Sequence, residues 1–162
     1  MEEPELLEQI EDAFLVKLRS DAGVPGLDVR SAPDKPNDWT AAAAAGCMLV
    51  QYAGARYLEQ GPRHPGRPFP QKARFRIWIG APSHRPSAEH IGAYRLLACA
   101  KRAVLGSTRT PTPVPPLLFE VPGPGNEGAL MWTPKTVGFY DEMNEVWWYV
   151  LEFESSPFVE EL

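Results

Sequence analysis

Ser87-Ala88-Glu89-His90-Ile91-Gly92-Ala93-Tyr94-Arg95-Leu96-Leu97, running on to Leu105-Gly106, is the stretch from which the fold is read. Pro86 and Ser87 stand where a helix starts, and Gly106 where one stops. Ile91, Tyr94, Leu97, Ala98, Val104 and Leu105 fall on one side at helical spacing. Just before it, Ala73-Arg74-Phe75-Arg76-Ile77-Trp78-Ile79-Gly80 alternates as a strand does. Ala73, Phe75, Ile77 and Ile79 share one face; Arg74, Arg76 and Trp78 share the other. Neither element sits beside a reactive cluster. The pair reads as a part that assembles rather than one that does chemistry.

Working outward, residues 4–20 predict a first helix, with Leu6, Leu7, Ile10, Ala13, Phe14 and Leu18 on one face. Acids fill its first turns, while Lys17 and Arg19 sit in its last, matching the helix dipole. Val16 points to the opposite side. Gly23-Val24-Pro25-Gly26 ends the element. Residues 27–32 suggest a short strand, 41–45 a helical turn capped by Asp38, and 47–52 a strand of the buried kind. Residues 61–70, Gly-Pro-Arg-His-Pro-Gly-Arg-Pro-Phe-Pro, form a basic, proline-stiffened loop between strands. A second proline-rich connector spans 107–116.

Residues 117–121 predict a short strand, and 129–132 and 137–140 weaker ones. Residues 145–154 predict the strongest strand. Trp147, Tyr149, Leu151 and Phe153 alternate with Val146, Trp148, Val150, Glu152 and Glu154, so apolar residues lie on both faces. That implies a central strand, or one face covered by another subunit. Residues 157–162 are expected to form a mobile tail. The order helix, strands, helix, strands predicts one α+β domain over 1–162. Its sheet is mixed but mostly antiparallel, with two helices packed on one face.

A chain of 162 residues can bury a single core without staples. The net charge of −5 argues against a dedicated nucleic-acid binder. That charge is unevenly spread. Residues 1–12 carry acids and no base, residues 56–86 are basic, and Glu152, Glu154, Glu160 and Glu161 close the chain. Opposite signs on separate surfaces suit self-association and steering toward a partner. Cys47 and Cys99 sit in apolar runs and are expected as buried, reduced thiols. The N-terminus is acidic and amphipathic rather than signal-like, and no apolar run reaches the ~18 residues of a membrane span. A soluble, intracellular protein is expected.

The search for chemistry is negative. His84 and His90 flank a helix start with Pro86 between them and no third ligand in view, so no metal site is expected. There is no nucleophile elbow and no phosphate-cradling loop; Gly123-Pro124-Gly125-Asn126-Glu127-Gly128 reads as a turn. Cys99 lies in an alanine–leucine context that suits packing. Asp141, Glu142 and Glu145 read as a solvated hairpin turn. No enzyme activity and no cofactor are expected.

One constellation stands above background: Arg74, Arg76 and Trp78 on one strand face. It could stack on and grip nucleic acid. It could equally lie against the face carrying Trp148, Glu152 and Glu154, within the sheet or between subunits; the reading favours that pairing.

Several segments together resemble the Mu-like tail terminator family of contractile-tailed phages and prophages. They are Ile10-Glu11-Asp12-Ala13-Phe14-Leu15-Val16-Lys17-Leu18-Arg19, Met48-Leu49-Val50-Gln51-Tyr52-Ala53-Gly54-Ala55-Arg56-Tyr57, Gly92-Ala93-Tyr94-Arg95-Leu96-Leu97, and the closing strand at 146–153. The resemblance implies a small α/β protein that forms a ring, typically a hexamer, on the head-proximal end of the tail tube. The ring stops tube growth and mediates head–tail joining. Implied partners are further copies of the chain, the tail tube, and sheath or neck proteins. Implied locations are the bacterial cytoplasm during assembly and then the virion tail. Another head–tail joining or tail-completion protein is the alternative, with a nucleic-acid-binding accessory protein behind it. Arg56, Arg63, Arg67, Arg74, Arg76, Trp78, Trp148, Glu152 and Glu154 are the candidate subunit or tail-tube contacts. On this reading, reversing Arg74 and Arg76 to Glu weakens assembly and leaves the monomer folded.

Overall fold

The computed structural model describes residues 4–21, 27–35, 38–39, 46–58, 69–87, 90–109, 112–123, 125–126, 128–143 and 145–160. The stop at 23–26, the helical turn at 41–45, and the loop cations Arg63 and Arg67 lie outside the described residues.

Helix α1 spans Leu6–Asp21 and buries Ile10, Phe14, Leu15 and Leu18. Its first turn is closed by Glu8, whose Oε2 accepts from the Glu5 N–H at 2.9 Å. Val16 faces solvent as expected. Strand β1, Asp28–Ser31, pairs in parallel with β2, Cys47–Tyr57. At the edge of β1, the Arg19 guanidinium donates from Nε and Nη2 to the Val29 carbonyl at 3.1 and 2.8 Å. Strand β3, Gln71–Ala81, runs antiparallel to β2. Strands β4, Trp132–Met143, and β5, Val146–Ser155, form a hairpin, with Glu145 at φ 64° in its turn. The sheet order is β1-β2-β3-β5-β4, so β5 is interior and β4 is an edge. This is the expected α+β fold, with a mixed, mostly antiparallel sheet and both helices packed on one face.

Helix α2 spans Ala93–Leu105, six residues later than the expected start at Ser87. The sequence around Ser87 closes a turn instead. The Ser87 Oγ accepts from the His90 N–H at 3.1 Å, and the Ser87 N–H donates to the His90 carbonyl at 2.8 Å. Backbone carbonyls then serve the helix's first amides. Ala93 N–H donates to the Ser83 carbonyl at 2.8 Å and Tyr94 N–H to the His84 carbonyl at 2.9 Å. Gly92 enables this entrance, with φ 84° and an imaginary Cβ only 2.5 Å from the Arg85 carbonyl carbon.

The buried face of α2 is also rotated from expectation. Ala93, Leu96, Leu97, Cys99, Ala100, Ala103 and Val104 are buried, while Tyr94 and Leu105 are exposed. Ala93, Ala100 and Ala103 share this contact face with Leu96, Leu97 and Val104. The core under both helices takes Met48 and Val50 from β2, Ala73, Phe75, Ile77 and Ile79 from β3, and Leu151 and Phe153 from β5. Phe14 anchors α1 there, stacked on Phe75 with ring centroids 5.2 Å apart and edge-on to Trp132 at 4.7 Å.

Two further expectations are corrected. Residues 117–121 form no strand; they make one isolated bridge, Phe119 to Leu130, because flanking Pro115, Pro116 and Pro122 cannot donate to a ladder. The end of the chain is not free. Phe158 is buried and exchanges both backbone bonds with Gln71, at 2.8 and 2.9 Å, and the Asn126 side chain clamps the Val159 backbone.

Candidate functional site: two faces of one sheet

The helix-free face of the sheet carries the predicted arginine constellation. Register places Arg74 opposite Glu154, Arg76 opposite Glu152 and Trp78 opposite Val150. Arg76 Nε donates to Glu152 Oε1 at 3.1 Å. Arg56 arrives by a different device. In β2, the register shifts between Tyr52 and Gly54, and Gly54 takes φ 109°. Without that bulge Arg56 would point at the helices. With it, Arg56 shares the face of Arg74, and its Nη2 lies 3.2 Å from Glu154 Oε1. Lys135 from β4 lies 3.5 Å from the same oxygen. The bare Gly54 leaves room for the Arg74 guanidinium, whose Nη2 would sit 3.6 Å from a Cβ there.

Glu154 is thus a buried carboxylate, 6% exposed, held between two cations, Arg56 reaching across β3 from β2 and Lys135 from the adjoining β4. Burial pushes its pKa up. The Arg56 and Lys135 charges and their hydrogen bonds outweigh that and hold the carboxyl below its ordinary value.

Farther along the same face the surface turns aromatic. Trp78 donates from Nε1 to Gln51 Oε1 at 2.9 Å and meets Tyr140 edge-on at 4.8 Å. Trp39 covers both Trp78 and Trp148, at 5.4 and 5.6 Å. Trp148 is only 1% exposed, packed with Cys47, Leu49 and Val146. Of the contact residues expected from the sequence, then, Arg56, Arg76, Glu152 and Glu154 are engaged with one another inside the sheet. Arg74 and Trp78 lie in the same layer, and Trp148 is core.

The helix side of β4 holds what sequence reasoning missed. Trp132 at the start of this strand packs under Phe14, but farther along Val137 and Phe139 are about half exposed, at 51% and 53%. Phe139 packs on Trp147 and Tyr149, with centroids 5.9 and 5.5 Å away. His84 lies against Trp147 at 4.2 Å and stacks with Tyr94 at 5.5 Å. The Tyr149 hydroxyl and His84 Nδ1 are 2.8 Å apart. Burial, then a hydrogen bond with Tyr94, pushes the Tyr149 phenol above its usual pKa. An aromatic patch results, open to solvent at Tyr94 and Phe139. Exposed acids stand at its hairpin end: Glu142, directly opposite Trp147 in register, and Glu145 in the turn, while Asp141 is opposite Trp148 on the other face. The signal was present in the alternation of Trp147 and Tyr149, but Tyr94 read as a core residue and His84 as a lone surface histidine.

Burial pushes the Cys47 thiol up to about 12, which leaves it unreactive near neutrality. Cys99 is buried and unpaired by disulfide. Among the described residues no three His, Cys, Asp or Glu side chains cluster as metal ligands, and no helix is long and apolar enough to cross a membrane. No protein-family model matches the chain, and a search of curated proteins finds no match.

Proposed function

We propose that this chain is a structural assembly protein of the tail-terminator kind. Copies join into a ring that caps the head-proximal end of a phage tail tube and presents a surface for head–tail joining. The observation that carries the reading is the state of β4. It is an edge strand whose apolar side chains are exposed on both faces, Val137 and Phe139 on one and Tyr140 and Met143 on the other. Contiguous exposed apolar surface of this kind marks protein–protein contact. The family resemblance of α1, β2, α2 and β5 supplies the type of assembly.

Of the two arginines in the nucleic-acid reading, Arg76 is paired with Glu152, which weighs against it. Cations that grip phosphate must be free to do so, and here Arg56 and Arg76 already face Glu154 and Glu152.

The test is direct. Purified contractile-phage tail tubes are incubated with the protein and imaged by electron microscopy. A ring on one end, with tube growth arrested, is the expected result. Unbound tubes that continue to grow would overturn the assignment, and density at another tail position would favour a different completion protein.

A further inference from the structure

We infer that the aromatic patch formed by His84, Tyr94, Phe139 and Trp147 docks the proline-rich basic segment 59–70 of a second copy of this chain. The inference deepens the self-assembly reading and rests on it for the statement that copies associate.

Three observations converge on this occupant. The first is the chemistry of the patch. Flat aromatic side chains at the open end of a sheet, Tyr94 and Phe139 half exposed with His84 and Trp147 between them, suit the rigid ridges of a proline-rich strand. In segment 59–70, Pro62, Pro65 and Pro68 recur every third residue. A proline at every third residue matches the three-residue turn of the polyproline II ligands that aromatic grooves take. The second is charge. Arg63 and Arg67 lie between those prolines, and Glu142 and Glu145 stand at the hairpin end of the patch. The other proline-rich stretch carries less charge and is already engaged, with Ser107 and Val114 exchanging backbone bonds at 2.7 and 2.8 Å.

The third observation is distance, and it decides between the chain's own segment and a neighbour's. The segment leaves the sheet at the Tyr57–Gln71 end, while Trp147 pairs with Ala81 at the other. From Gln71 to Ile79, which faces Tyr149, the strand rises about 26 Å. The ten residues between Leu58 and Phe69 must go out and come back, so they extend no more than about 18 Å. A chain cannot fill its own patch. The contact therefore joins unlike ends of two copies, a head-to-tail arrangement that closes into rings or runs on as filaments.

A fluorescently labelled peptide of residues 59–70 is titrated with the full chain, held below any assembling concentration, and followed by anisotropy. Saturable binding is expected, weakened at least tenfold by Phe139→Ser or Tyr94→Ser in the chain, or by Arg63→Glu with Arg67→Glu in the peptide. Circular dichroism confirms that these surface variants fold. Absence of saturable binding, or binding that Phe139→Ser leaves unchanged, overturns the inference. Light scattering separates this failure from that of the assembly reading. Assembly without peptide binding rejects the docking site alone, and a chain that never associates rejects the assembly reading and with it the docking between copies, even if the free peptide binds.

Discussion

Glu154 is where the energetics of the helix-free face concentrate. Its carboxylate is buried and bracketed by Arg56 and Lys135, and its pKa in the fold lies below the 4.5 of an unperturbed glutamate. The folded state therefore holds that proton less tightly than the unfolded chain does. The resulting stabilisation is present in full above about pH 4.5 and is lost as pH falls through the lower folded value. Urea unfolding at pH 7 and at successively lower pH is expected to show this decline. Glu154→Gln should lower stability at pH 7 and flatten the acid limb; an unchanged acid limb would mean another group controls it. Gly92 makes a second residue-level case. Gly92→Ala combines a φ of 84° with a Cβ driven to 2.5 Å from backbone, and is expected to destabilise by ~2 kcal/mol or more in thermal or denaturant unfolding.

Among the elements, β3 and β5 are locked and β4 is not. Arg76 opposite Glu152 contributes roughly 0.2–1 kcal/mol as a cross-strand pair, and reversal would set like charges face to face. Arg74→Glu with Arg76→Glu is thus expected to lower the melting temperature by ~5 °C or more, a stability effect in addition to any on assembly. From the sequence alone, a folded, assembly-deficient monomer is expected; the pairing of Arg76 with Glu152 adds the expectation of lowered stability. By contrast, Phe139→Ser on the exposed edge should change stability by no more than about 0.5 kcal/mol. Hydrogen exchange should find the amides of β3 among the slowest and the outward-facing amides of β4 among the fastest.

The same contrast explains what was legible in the chain. β3 alternates cleanly because one of its faces is core, and β5 reads as central because both its faces are apolar. Strand β4 was legible only as fragments. Pro134 interrupts its pattern, two register shifts break its alternation, and an edge strand need not bury a face. The start of α2 was misplaced because Pro86-Ser87 serves a turn as well as it would serve a cap. The bulge that aims Arg56 at Glu154 left only a glycine as its trace, and the aromatic patch is assembled from β4, β5 and residues before and within α2 that are distant in sequence.

At the scale of the whole molecule, the two ends of the sheet differ. One end carries the basic proline-rich segment, and the other carries an aromatic patch with acids at its hairpin end. At the edge of β1 Arg19 caps the Val29 carbonyl, which disfavours pairing of another strand there. Unlike ends are what a heterologous ring requires. The contact pairs arginines with exposed carboxylates, so raised salt should weaken it. The central claim is that copies join head to tail, and light scattering across a concentration series at low and moderate salt tests it most directly. The account predicts a discrete species near six copies of 18.0 kDa that dissociates as salt rises. A monomer at every concentration and every salt would contradict it.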